Sequence, residues 1–373
     1  MEITEGAQSE MTQTFEIAVF EGDGIGPEIM TPAVTLLSSL SEATRAYDLR
    51  FTSLPAGAAH YAKTGESLPD ASLKAAGVAD AILLSAMGLP DVRYPDGTEI
   101  SPQIELRKAY GLFAGVRPVR VKAGQASPLR LPEGRDIDFV LIRESTEGLF
   151  YSQGRGEVTQ DAATETLRIS REVSEKLFRF AFELAQGRKS TGRGPGRVTC
   201  VDKANVFRAF AFFRQIFDDI ATDFPDLRAD HAYVDATALW MVQKPWDFDV
   251  LVTENMFGDI LSDLGAGLMG GLGLAPSADI GLHQAVFQPC HGSAPDIAGR
   301  GVANPHAMIL SAAMMLGWLG LKRDNAALLE DGRRLREAVE DVVARGDSLT
   351  RDLGGNASTE EAAGAVMRAV FAA

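Results

Sequence analysis

Short apolar runs alternate with stretches of helical period along nearly the whole chain, and this alternation constrains its fold more than any other feature. Strands alternating with helices predict an α/β sheet. The clearest unit is Phe248-Asp249-Val250-Leu251-Val252, read as a buried strand, followed by a helical stretch from Thr253 to Leu268. At about 100° per residue, Phe257, Ile260, Leu261, Leu264 and Leu268 are expected on one face. Asp259 and Asp263 then share the opposite face, about 6 Å of rise apart. Two carboxylates one turn apart repel each other. A hard divalent cation reverses that sign, because it takes oxygen ligands and often only one or two protein carboxylates. A solvated face of an amphipathic helix carries the same pattern, so the pair gains meaning only from the rest of the chain.

The remaining units repeat the theme. Phe15 to Phe20 reads as a strand, followed by Gly22, Gly24, Gly26 and Pro27 and a helix over 29–40. The glycine order does not form G-x-G-x-x-G; the glycines are expected to let the backbone approach a neighbour closely. Ala79 to Ser85 is a further strand, and a basic helix over 104–113 carries Arg107. Arg117 follows it, and Asp138 to Arg143 is a strand ending in arginine. Three arginines at element ends suit carboxylates, which guanidinium forks match in shape. Residues 150–169 are polar and threonine-rich, as expected of an arm or hairpin, with a helix over 171–186 after them. Arg197 to Lys203 reads as a strand with a helix opening at Ala204-Asn205-Val206. Asp230 to Asp235 is a strand ending in an acid, with a helix over 236–242. Charged groups at strand ends stand where open α/β sheets place ligands. A glycine-rich loop from Gly270 to Pro276, the apolar run Ala285 to Cys290 and a small-residue loop from His291 to Gly299 come next. Helices over 307–316, 325–344 and 358–371 complete the chain.

Composition excludes several roles. The net charge of −15 over 373 residues argues against a nucleic acid or an anionic membrane surface as partner. An anionic small molecule remains compatible if arginines are gathered locally. Two cysteines without metal-type spacing suit a reducing, cytoplasmic setting. Residues 1–14 lack a basic and apolar leader pattern and are read as a disordered tail.

Six segments are then familiar in their order: Gly22-Asp23-Gly24-Ile25-Gly26-Pro27-Glu28, Leu106-Arg107 to Arg117-Pro118, Val201-Asp202-Lys203-Ala204-Asn205-Val206, Tyr233-Val234-Asp235-Ala236, Phe257-Gly258-Asp259-Ile260-Leu261-Ser262-Asp263-Leu264, and His291-Gly292-Ser293-Ala294-Pro295-Asp296-Ile297-Ala298-Gly299. The chain resembles the isocitrate/isopropylmalate dehydrogenase family of β-decarboxylating dehydrogenases. The resemblance implies a two-domain α/β fold of that family's type, distinct from a standard Rossmann fold. One domain is expected from 15–112 plus 270–373 and the other from 113–269, with a dimer arm at about 144–170. It implies a homodimer whose active sites borrow Lys203 and Asp235 from the partner. Arg107, Arg117 and Arg143 are then expected to bind malate-type carboxylates. Asp235, Asp259 and Asp263 are expected to hold Mg²⁺ or Mn²⁺, with K⁺ left open as an accessory ion. Lys203 is expected to help deprotonate the 2-hydroxyl, directly or through Asp235 or a water. Ile25, His291, Gly292, Ser293, Ala294, Pro295, Asp296, Ile297 and Asn304 are expected at the cofactor. Asp296 at the adenosine ribose favours NAD over NADP. The implied reaction is oxidation of a malate-type 2-hydroxy acid with loss of its β-carboxylate as CO₂.

The chain departs from the family at several positions. Phe150 stands where relatives carry a proton-donating tyrosine, which leaves Tyr151 or water to protonate C3, or leaves oxidation without CO₂ loss. Gln288 replaces a usual glutamate. Gln103 and Ile104 stand where isopropylmalate enzymes place a leucine pair, and Ser101-Pro102 resembles the isocitrate and homoisocitrate relatives. A substrate with a polar C3 substituent is therefore expected. A non-catalytic regulatory paralogue is the alternative from a different class.

Overall fold

The computed structural model describes residues 12–122, 125 and 127–372. Most of the expected tail, residues 1–11, lies outside the described residues, but Gln13 and Thr14 already belong to a strand. In chain order the strands are β1 (Gln13–Phe20), β2 (Tyr47–Ser53), β3 (Ala81–Leu84), β4 (Ala114–Val121), β5 (Ile137–Glu144), β6 (Glu157–Val158), β7 (Ala163–Thr164), β8 (Arg197–Asp202), β9 (Arg228–Tyr233), β10 (Val250–Thr253), β11 (Pro276–Ile280) and β12 (Ala285–Pro289).

Ten of these form one sheet in the order β2-β1-β3-β12-β11-β4-β5-β10-β8-β9. β2, β1, β3 and β12 run parallel to one another, as do β5, β10, β8 and β9. Between the two groups β11 is antiparallel to both neighbours, and β4 is antiparallel to β5. The two flanks therefore run in opposite directions and meet at β11 and β4. Strands buried on both faces read as unbroken apolar runs, and β3 and β10 are buried at every position. Alternation still sorts their side chains between faces. Ile17, Val19, Ala81 and Leu83 join the larger apolar cluster, whereas Ala18, Phe20, Ile82 and Leu84 join a second one on the other side.

The helices largely follow the sequence pattern, with corrections. The first runs Gly26–Thr44 with Pro27 in its opening turn, where a missing N–H costs nothing. After β8, residues 203–206 form a turn rather than a helix, which starts only at Arg208. Asp235 lies in the first turn of the helix Val234–Gln243, not at a strand end. β11 falls partly in what reads as a loop by sequence. The expected arm contains the β6–β7 hairpin.

The helix Asn255–Leu268 has the expected span, but its buried face differs. Ile260 is 63% exposed, and the helix rests instead on Gly258, Leu261, Ser262, Gly265 and Leu268. A Cβ at Gly258 would sit 2.6 Å from the Arg143 side chain, and one at Gly265 would sit 2.7 Å from Val119. Close approach to β4 and β5 requires the smallest side chains on the contact face, so glycine outranks isoleucine there. The Glu254 carboxylate caps this helix by accepting from the backbone N–H groups of Met256 and Phe257.

The glycine-rich turn after β1 meets the loop that follows β12. Ile25 N–H donates to the Ser293 carbonyl at 2.8 Å. Gly24 has φ +59°, and a Cβ there would lie 1.9 Å from the Ser293 oxygen. Gly65, at φ +81°, has no atom within 4 Å of its would-be Cβ. Gly65→Ala is expected to cost about 1 kcal/mol, the left-handed backbone penalty alone. Gly24→Ala is expected to cost a further ~1–3 kcal/mol through overpacking. Thermal unfolding of the two variants side by side measures the difference, and equal losses would contradict the close approach.

Candidate active site

Arg107, Arg117 and Arg143 converge where the opposed flanks of the sheet meet. Arg107 comes from the helix Pro102–Tyr110, Arg117 from the middle of β4 and Arg143 from the end of β5. Arg117 and Arg143 are buried. Gly115 of β4 registers with Asp279 of β11 on one side and Arg143 of β5 on the other. The position between these two charged residues thus carries no side chain. A Cβ at Gly115 would meet the Ser145 hydroxyl at 2.6 Å and the Asp279 carboxylate at 3.1 Å.

Asp279 is fully buried within the cluster. Its Oδ2 accepts from Arg107 Nε at 3.0 Å and Gln288 Nε2 at 2.8 Å, and its Oδ1 accepts from Arg117 Nη2 at 3.3 Å. Burial pushes its carboxyl up, but Arg107, Arg117 and Arg143 overcome this and hold it down at about 2. Burial and the neighbouring Arg107 guanidinium push Arg143 down to about 10, with Asp259 opposing them. Arg143 Nε donates to Asn255 Oδ1 at 2.8 Å, and its Nη1 pairs with Asp259. Gln288, a departure with no evident consequence from sequence, supplies the amide N–H that a carboxylate beside Asp279 could not.

The Phe150 ring faces this cluster, its centroid 5.3 Å from the Arg143 guanidinium carbon. Tyr151 goes elsewhere. Its ring lies between the guanidinium groups of Arg155 and Arg168, at 4.5 and 4.8 Å. Leu149–Ser152 is a 3₁₀ turn rather than a strand, so consecutive side chains point about 120° apart. The structure holds Tyr151 on Arg155 and Arg168 rather than on the cluster of Arg107, Arg117 and Arg143.

Asp259 and Asp263 are both exposed on one face of their helix. Burial and the Asp259 charge raise the Asp263 carboxyl above its ordinary range. An oxygen-only, mutually repelling pair fits a hard divalent cation. Lys203 Nζ donates to Asp235 Oδ1 at 2.5 Å, and this bond lowers the Asp235 carboxyl. Among the described residues no three His, Cys, Asp or Glu groups of one chain could hold a metal. Asp235 is paired with Lys203, not gathered with Asp259 and Asp263.

The expected cofactor loop forms a second group. Ser293 is buried and donates to the Gly88 carbonyl, and Ala294 has φ +37°. Asp296 is exposed, with Gly292 and Pro295, whereas Ile297 is half-buried and Ile25 buried. Burial lowers the basicity of His291, whose Nε2 has no partner. Burial pushes His306 down to about 4, and both its ring nitrogens lack partners. Asn304 donates to Asp352 Oδ2 at 2.9 Å and accepts from the His306 backbone. A Cβ at Gly273 would strike Asp352 and Asn304. A neutral, partly unsatisfied wall beside an exposed acid fits the adenosine half of a dinucleotide.

Sequence reasoning missed Asp279, Asp352 and His306. Asp279 sits in a five-residue strand with no apolar run to mark it. Asp352 sits beyond the C-terminal helix expected at 325–344, and only folding brings it to Asn304. Of the two expected specificity residues, Ser101 donates to the Glu99 carbonyl at 3.3 Å, while Gln103 keeps a buried Oε1 without a partner.

Comparison with known proteins places the chain. The isocitrate/isopropylmalate dehydrogenase family matches residues 16–366. The 3-isopropylmalate dehydrogenase of Streptococcus pneumoniae is 41% identical over 363 residues, covering 96% of this chain and 99% of that one. The 3-isopropylmalate/3-methylmalate dehydrogenase of Methanocaldococcus jannaschii is 41% identical over 356 residues, covering 95% and 98%. The crystal structure of isocitrate dehydrogenase from Methylococcus capsulatus superposes with a TM-score of 0.82 at 36% identity, covering 95% of this chain and 99% of that one. The chain belongs to the isocitrate/isopropylmalate dehydrogenase family and has its fold; it is an oxidoreductase acting on a CH–OH group.

Glu144, directly after Arg143, gives a pH signature. Burial raises its carboxyl from an ordinary 4.5 to about 7, against the bonds it accepts from Thr146 and the Glu147 backbone. Between these values the native state holds a proton that the unfolded chain has lost. Stability should therefore fall as pH rises from 4.5 to 7, by about 3 kcal/mol at most, and level off above. Glu144→Gln is expected to flatten that slope in thermal unfolding from pH 5 to 8.

Proposed function

We propose that this enzyme uses NAD and Mg²⁺ or Mn²⁺ to oxidise the 2-hydroxyl of a malate-type acid with a polar C3 substituent, and then releases the β-carboxylate as CO₂. The observation that carries this reading is the convergence of three arginines beside two exposed acids on one helix face. Arg107, Arg117 and Arg143 bind and orient the substrate carboxylates. Asp259 and Asp263 would hold the cation, which supplies Lewis-acid polarisation of the 2-hydroxyl. His291 to Ile297, with Ile25, Asn304 and Asp352, would hold the dinucleotide that takes up the hydride. The exposed Asp296 carboxylate favours ribose hydroxyls over a 2′-phosphate.

Lys203 and Asp235 form a charged pair suited to moving the 2-hydroxyl proton. In a homodimer each site receives this pair from the partner, and Asp235 completes the oxygen ligands. Exposed apolar side chains support a dimer: Phe207, just before the helix Arg208–Ala221, Leu239 and Val242 on the helix Val234–Gln243, and Ile260 on the helix Asn255–Leu268 are 46–63% exposed. Exposed apolar surface of this kind suits an interface. The strand order supports the two-domain division, because β2, β1, β3, β12 and β11 come from 15–112 plus 270–373 and the other five from 113–269. A cytoplasmic setting agrees with two free cysteines.

Phe150 favours a second reading of the last step. The side chain at that position has no proton for C3, and Tyr151 is held between two arginines. Without a poised acid, the enolate left by CO₂ loss waits for water to protonate C3 and can recapture CO₂, so net CO₂ release lags behind oxidation. Gln103 bears on the substrate: its buried Oε1 has no partner within the chain, and a C3 hydroxyl would supply one where an isopropyl group would not.

NADH and CO₂ measured together with 3-isopropylmalate, D-malate, tartrate isomers, isocitrate and homoisocitrate test this reading. The expected result is NADH in excess of CO₂ at early times, with Phe150→Tyr raising the ratio of CO₂ to NADH. 3-Isopropylmalate as the best substrate by kcat/KM would refute the role given to Gln103. Lys203→Ala is expected to lower kcat by about 10²–10⁴-fold with little change in KM, as steady-state kinetics would show.

A further inference from the structure

Asp279 has no part in the reaction, yet it occupies the centre of the carboxylate-binding group. Two acids meet the three arginines, and they differ in kind. Asp259 is half exposed and faces solvent beside Asp263. Asp279 has a side chain 1% exposed and is tied by Arg107, Arg117 and Gln288. Its Oδ1 also lies 3.5 Å from the Ser145 hydroxyl. A carboxylate so enclosed stays in place when substrate arrives. Its donors include the Nε of Arg107 and the Nη2 of Arg117, so part of each fork is already committed.

We propose that Asp279 is a specificity-determining residue that acts as a built-in carboxylate, limiting the arginine cluster to substrates with two carboxylates and excluding tricarboxylic acids. This rests on the malate-type reading above and narrows it. Three guanidinium charges, one of them answered internally, leave two for the ligand. A third carboxylate would enter beside Asp279, where like charges in a poorly hydrated site repel strongly. Gln288 belongs to the same device. Its amide N–H satisfies Asp279, whereas an acid there would add a second buried negative charge at 2.8 Å. Asp279 touches the arginines rather than the reacting atoms, so it is a positioning residue.

The test is equilibrium binding to the full-length protein, by calorimetry, of a matched pair of inert ligands. Tricarballylate and 2-methylsuccinate share one carbon frame and differ by one carboxylate. Wild-type protein is expected to bind 2-methylsuccinate at least about tenfold more tightly. Asp279→Asn, which keeps the shape and removes the charge, is expected to shift that ratio at least about tenfold toward tricarballylate. A purely structural role would weaken both ligands alike and leave the ratio unchanged, which would overturn the proposal. Equal binding of the two ligands by wild-type protein would overturn it as well, and needs no variant to fold. Failure of every malate analogue to yield NADH would refute the oxidation reading instead, while the wild-type binding ratio would still decide the role of Asp279.

Discussion

Three guanidinium groups within reach of one another are costly to bury, and the centre of this protein depends on how that cost is met. A buried charge persists only when paired and hydrogen-bonded. Asp279 provides the fixed counter-charge and Asp259 an exposed, exchangeable one. The sheet topology follows the same requirement. Asp279 reaches the arginines because β11 lies antiparallel between β12 and β4, which joins two oppositely directed flanks at one seam.

Close packing around the seam is achieved by removing side chains. Gly115 opens the space between Asp279 and Arg143, Gly258 lets the helix of Asp259 settle on Arg143, and Gly24 brings the first turn onto the Ser293 loop. Each glycine connects a local backbone choice to the placement of a functional group. The contact between Arg143 and Asp259 exists because nothing projects from the helix at residue 258. The chemistry of the site thus depends on positions that carry none themselves.

The two departures at Phe150 and Gln288 have different consequences. Phe150 keeps an aromatic ring against Arg143, and in the proposed reaction it has no proton to give to C3. Gln288 preserves charge balance, because its amide answers a carboxylate on the adjacent strand.

Much of this was legible in the chain itself. Apolar runs and helical period gave the α/β class, and ordered motifs gave the family, because local pattern determines local structure. Arg107, Arg117, Arg143, Lys203, Asp235, Asp259 and Asp263 could be singled out from the chain as candidates, by residue type and by the motifs that resemble the family. Tertiary structure decided the rest. The exposure of Ile260 depends on which face can approach a strand most closely, which hydrophobicity does not encode. The direction of Tyr151 depends on a 3₁₀ turn and two arginines that hold its ring. Asp279 is an ordinary acid in a short polar strand until β11, β4 and β5 align, and only that register turns it into the counter-charge of three residues far away in sequence.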